Sequence, residues 1–185
     1  IWLQERSDYL KFALLSIVAV TANQLLFVTG LSLTKASNTS LLAVTIPVFT
    51  LTIGAILGKE VLERRKMVGI VLAAIGVIIL IDPRNASFSS ETTVGDILVI
   101  LNFLSYGIYV AISKDIVTRN GAFRSIMWIF LFASIICVPA GLFSLSSVDV
   151  ANVSISLWLI VLYIAVGATT APYFLNAWAL ARVNP

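Results

Sequence analysis

Any chemistry in this chain has to be done without histidine, because none occurs, and with a single cysteine, Cys137, set inside an apolar run. The commonest general base and the commonest metal ligand are therefore missing together. No intrachain disulfide and no cysteine metal cluster can form. The apolar stretches show no acidic pair at depth, and Asp96 falls near the end of one of them. No catalytic residue, metal site or cofactor is expected. Those stretches hold neutral polar and aromatic side chains instead. Asn102, Tyr106 and Tyr109 stand at i, i+4 and i+7, and Thr169, Tyr173 and Asn176 repeat that spacing, so each triplet occupies one helical stripe. Asn23 and Phe27 are an i, i+4 pair with Gly30 next, while Thr45, Phe49 and Thr52 flank Pro47. Such groups can hydrogen-bond and stack on a small organic solute. They can equally hold helices together, at about 0.6 to 2 kcal/mol per contact.

The elements that must carry these stripes follow from composition. Apolar residues make up 59% of the chain and charged residues 11%, with a mean hydropathy of +1.03, against roughly 45 to 50% and about 25% in soluble domains. That much hydrocarbon calls for a bilayer. Six stretches approach the roughly 20 residues needed to span one, at about 12–34, 39–58, 67–81, 94–113, 125–148 and 155–180. The third is short but unbroken, with Gly69 and Gly76 as places for close helix approach. Pro47, Pro139 and Pro172 lie inside spans, where neighbouring helices can satisfy the freed carbonyls.

Alternating the six spans across a membrane puts ten of the twelve Lys and Arg on one side and only Lys35 and Arg84 on the other, while the acids divide five to four. The bias is specifically basic, so the basic loops are expected to be cytoplasmic, with the plasma membrane as location. The net charge of +3 therefore concerns orientation, and no nucleic-acid partner is expected. The Asn-x-Ser sequons at Asn85 and Asn152 fall on the outer side. Glu60, beside Lys59 and Arg64, reads as a membrane-edge charge anchoring a turn, since a coupling carboxylate belongs nearer mid-membrane. Trp2, Trp128, Trp158 and Trp178 suit interfacial anchoring. The chain starts at Ile1 without an initiator Met and ends directly after an apolar stretch, and it reads as a piece of a longer protein.

Shifting the sequence by 147 positions lays Phe27 on Phe174, Leu33 on Leu180 and Lys35 on Arg182. An odd number of spans separates the copies, so they run in opposite directions, which is the inverted duplication common among secondary transporters. The string LTKASNTSLLAVTIPVFTLTIGAILGKEVLERRKMVGIVLAAIGVIIL, with Pro47, Gly58, Glu60, Arg64 to Lys66, Gly69 and Gly76 in order, and GDILVILNFLSYGIYVAISK after it, resemble the EamA-type branch of the drug/metabolite transporter superfamily.

The resemblance implies an all-α membrane protein of ten helices in two inverted repeats of five. About six would lie in this chain: helices three to five in residues 1–82, an extracytoplasmic linker at 83–94, and helices six to eight in 95–185. It implies export of small organic solutes, such as amino acids, metabolites or drugs, by alternating access. Since helices one and three of each repeat line the pathway in that family, Asn102, Tyr106, Tyr109, Thr169, Tyr173 and Asn176 become candidates for a solute cavity, and Asn23, Phe27 and Thr45 on the first two spans join them as residues that could face it. Pro47, Glu60 and Pro172 become structural or gating candidates. The partners expected are a solute and the lipid bilayer, with a homodimer left open. The competing reading is a membrane scaffold that transports nothing.

Overall fold

The computed structural model describes residues 2–61, 63–81 and 89–182, and the elements among them are helical. Arg84, Asn85 and half of the expected linker lie outside the described residues. Five described stretches are long and apolar enough to cross a membrane: Arg6–Leu33, Ala36–Ile56, Thr93–Asn120, Ala122–Leu145 and Ile155–Ala179. That is one fewer than the six expected. The third expected span is helical over Arg64–Ile81 (α5), but its first turn is Arg64-Arg65-Lys66. Those three cations leave an apolar remainder below the usual spanning length.

Three of the five stretches change helical register where the chain demands it. The first comprises α1 (Arg6–Ser16), a π-helical turn at Ile17–Thr21 and α2 (Ala22–Leu33). The second breaks into α3 (Ala36–Leu42) and α4 (Thr45–Ile56). Pro47 accounts for that break, because its ring excludes the carbonyl four residues back. This carbonyl belongs to Ala43, and it accepts from the Ile46 amide at 3.1 Å instead. The Thr93–Asn120 helix (α6) and the Ala122–Leu145 helix (α7) are continuous, the latter running through Pro139. The last stretch comprises α8 (Ile155–Tyr163), a π segment at Ile164–Thr170 and α9 (Ala171–Leu180). Pro172 lacks the amide that an α-register would need there. Within the π segment the Thr170 hydroxyl donates to the Ala165 carbonyl at 2.8 Å, five residues back.

The chain divides into two compact units. The first, Ile1–Ser16 with Lys114–Pro185, packs α7 against α1 and α9. Phe12, Leu15, Ile116, Val117, Ile126 and Ile129 are buried there, and Tyr9 meets Trp128 edge-to-face at 4.7 Å between ring centres. The second, Ile17–Ser113, is held by close backbone approach. A Cβ on Gly95 would sit 2.5 Å from the Leu33 carbonyl carbon, and one on Gly30 would sit 2.9 Å from Val99. In lipid, where burial of hydrocarbon drives nothing, such contact is what holds helices together. A Cβ on Gly69 or Gly76 of α5 would meet nothing within 4 Å, so the close approach expected of these glycines is not made among the described residues. None of the α8 residues is buried.

Candidate functional site

In the second unit, the α6 stripe begins with a reciprocal bond. Asn102 donates its side-chain amide to the Asn23 carbonyl at 2.6 Å, and Asn23 returns the bond to the Asn102 carbonyl at 3.2 Å. Three residues on, Ser105 donates to the Val18 carbonyl, inside the π turn, at 2.7 Å. These bonds staple α6 to the first helical stretch, and Asn102 is only 3% exposed. Tyr106 and Tyr109 follow with ring centres 5.8 Å apart, Tyr109 fully buried and Tyr106 half-buried. Phe27 and Phe49 are half-buried. Thr45 donates its hydroxyl to the Leu42 carbonyl at 2.7 Å, beside the break that Pro47 causes. Thr52 and Pro47 are exposed.

The second predicted stripe belongs to the first unit. Tyr173 stacks edge-to-face on Phe130 at 5.6 Å between ring centres. Asn176 is half-buried, and its side-chain oxygen is buried without a hydrogen-bond partner among the described residues. Thr169 falls inside the π segment, whose wider turn departs from the 3.6-residue period on which the stripe was counted. Cavities of this unit open instead on neighbouring positions. One of about 660 Å³ is lined by Met127, Phe130, Thr170 and Phe174, and another of about 600 Å³ by Arg119, Arg124, Phe174, Trp178 and Arg182.

Two buried carboxylates carry most of the remaining polar architecture. Asp8, in the first turn of α1, is fully buried. It accepts from the Arg119 guanidinium, from the Asn120 amide at 2.8 Å and from Lys11 at 3.4 Å. Asp96, in the first turn of α6, is 7% exposed. It accepts from the Thr34 hydroxyl at 2.5 Å and from the Asn38 amide at 3.1 and 3.3 Å. Asp8 and Arg119 stand 111 positions apart, so only the three-dimensional structure brings them together. The closest sequence signal was the type of residue, an acid and a base at helix ends.

Glu60 pairs with Lys66 at 2.6 Å, and that bond raises the Lys66 ammonium above its ordinary value. The chain reaches Glu60 through Gly58, whose φ of 68° ends α4 in the left-handed region. The Lys59 and Glu60 amides both donate back to the Gly54 carbonyl, at 2.9 and 3.1 Å. Glu60 therefore sits in a folded-back turn, in contact with an exposed lysine. Among the described residues, no group of His, Cys, Asp or Glu could hold a metal ion.

Long apolar helices interrupted at Pro47 and before Pro172 suit a membrane transporter, and comparison with known proteins bears on that class. Residues 1–82 and 93–185 match the EamA-like transporter family. The chain belongs to that family. It is 26% identical over 139 residues to an uncharacterized transporter of Archaeoglobus fulgidus, covering 75% of this chain and 47% of that one. It is 20% identical over 157 residues to the uncharacterized transporter YyaM of Bacillus subtilis, covering 84% and 52%. A third relative, an uncharacterized transporter of Methanothermobacter thermautotrophicus, is 32% identical over 100 residues, 54% of this chain and 28% of its own. This EamA-like chain thus spans about half the length of the first two relatives. No solved structure matches it significantly. Membership makes it an integral, multi-pass membrane protein of a transporter family.

Proposed function

We propose that this chain is the central part of a secondary-active transporter that exports small organic solutes by alternating access between two inverted repeats. The basic loops face the cytoplasm, in the plasma membrane. Family membership supports the transport class, and the ten-to-two basic bias supports the orientation provided that the short α5 helix crosses as a sixth span.

The observation that carries the site is Asn176. Its side-chain oxygen is buried and unpartnered among the described residues, three positions from Tyr173 on the same helix, and such an acceptor costs about 1 to 3 kcal/mol. A solute donor offsets that cost when bound. Asn102 differs, because its amide is already committed to the Asn23 backbone. Asn176 is thus the one of the two with an acceptor left for a solute, and Asn102 the structural one.

The test is counterflow by the full-length protein in vesicles, run with amino acids, nucleotides, sugars and lipophilic cations. At least one class is expected to exchange above protein-free vesicles. Asn176→Leu is expected to lower that flux about tenfold, the worth of one hydrogen bond, without reducing the amount inserted. Unchanged flux removes the Asn176 assignment, and no exchange in any class removes the transport reading. In intact cells, and in a Cys137→Ala background, the Glu91→Cys variant should react with an impermeant thiol reagent while Arg65→Cys stays protected. The reverse labelling overturns the orientation.

A further inference from the structure

The two cavities of the first unit share walls. Phe123 and Phe174 line both, so an apolar groove continues into a more polar pocket. The groove, about 660 Å³, presents Ile126, Met127, Phe130, Val166 and Ala171, with Thr170 as its one hydroxyl. The pocket, about 600 Å³, presents three guanidiniums, from Arg119, Arg124 and Arg182, and no carboxylate lines it among the described residues.

Those three cations are not equivalent. Arg119 is bound to Asp8 and Glu5. Arg124 and Arg182 have no carboxylate partner among the described residues. Arg182 lies over the Trp178 ring, 3.9 Å from its centre, a cation–π contact that leaves the guanidinium edge available to oxygen ligands. Arg124 stands in the first turn of α7, where the helix already places partial positive charge. The residue before that turn, Gly121, supplies no side-chain cap. The pocket therefore gathers two uncompensated guanidiniums and the free amides of a 24-residue helix around one volume. An anion is the missing complement.

We propose that this surface is a seat for one anionic phospholipid, with the headgroup phosphate between Arg124 and Arg182 and an acyl chain along the groove past Phe174. A planar guanidinium binds two phosphate oxygens at once. The groove distinguishes a lipid from a soluble phosphate, because a soluble anion has no use for an apolar channel that opens from the same pocket. Trp178, 45% exposed beside the pocket, is of the residue type that gathers at headgroup level. Basic pockets of this kind between membrane helices recognise anionic headgroups. The assignment does not depend on the transport reading or on which face of the membrane is cytoplasmic.

The test uses the full-length protein, delipidated and then offered phosphatidylglycerol and phosphatidylcholine of identical acyl chains in equal amounts, with retained lipid counted by native mass spectrometry. Phosphatidylglycerol is expected to be retained preferentially. Arg182→Gln and Arg124→Gln are each expected to lower that retention about fivefold, and Arg182→Lys to lower it by less, since it keeps the charge and loses the two-oxygen contact and the stacking on Trp178. Arg182 follows α9 and is exposed, so its substitution carries the test even where Arg124→Gln fails to fold. Equal retention of the two lipids, or a preference unchanged by Arg182→Gln, overturns the proposal. So does displacement of the lipid by inorganic phosphate at equal concentration, which marks a soluble-anion site. Absence of lipid together with protection of Phe174→Cys from a lipid-soluble thiol reagent also overturns it, because another segment of the longer protein then fills the groove.

Discussion

Asp8 and Asp96 pose the same physical problem and are answered in different ways. Each is a carboxylate in the first turn of a helix, a position the helix dipole favours, and each is buried, at 0% and 7% exposure. Asp8 is met by charge: Arg119 makes an ion pair, Lys11 adds another, and Asn120 donates a neutral bond. Asp96 is met by dipoles, from Thr34 and Asn38, with no ion pair among the described residues. A buried carboxylate neutralised by a cation is close to an all-or-none device, since losing the cation leaves the carboxylate buried and unpaired. A carboxylate shared among neutral donors loses one increment at a time. The first unit is thus closed by a lock and the second by a clasp, and that clasp lies beside the Gly95–Leu33 backbone contact.

The largest effect should come from breaking the lock on one side. Arg119→Leu is expected to destabilise the full-length protein by about 3 kcal/mol in detergent unfolding; the 35% exposure of the Arg119 side chain keeps the cost from going higher. Adding Asp8→Asn to that variant should recover more than half of the loss, because no uncompensated charge remains buried. A double variant as unstable as the single one would show that packing and not charge closes the first unit.

For the clasp, Thr34→Val removes at constant shape both the 2.5 Å hydroxyl bond to Asp96 and the 3.2 Å bond that this hydroxyl accepts from the Asn38 amide, while Asn38 keeps its own bonds to Asp96. The expected loss is about 1.5 to 2 kcal/mol, the lower part of the range for a hydrogen bond to a charged group. Thermal or denaturant unfolding of the same preparation checks it. A cost equal to that of Arg119→Leu would erase the distinction between lock and clasp.

Much of this architecture is legible in the sequence where one residue dictates its own surroundings. The spans are legible because hydrocarbon has only one solvent to enter, and Pro47 marks the α3–α4 break because its ring acts on the carbonyl four residues back. Pro172 marks a change of register for the same reason, though not that the register becomes π. The short third span is legible in length but not in consequence, since Arg64, Arg65 and Lys66 turn out to be helical and occupy its first turn. Pairings are another matter. Asn102 could be placed on a polar stripe, but its partner is the backbone of Asn23, 79 positions away, and backbone carbonyls leave no mark in residue type. Asp8 and Arg119 each look like an ordinary charge at a helix end. Thr169 shows the converse: its spacing fits the stripe, and the π segment around it does not keep the period.

The smallest effect distinguishes the members of the lock from one another. Lys11 lies 3.4 Å from Asp8 and is one helical turn away, but its side chain is 51% exposed. A solvated lysine loses side-chain entropy in holding that geometry and is screened by salt, so pairs of this kind are worth about 0 to 1 kcal/mol. Lys11→Ala should therefore cost well under 1 kcal/mol in the same unfolding measurement, and less still at high salt. Were it to approach the cost of Arg119→Leu, the charge that neutralises Asp8 would be spread over both cations. The first unit would then yield by increments, as the Asp96 clasp does.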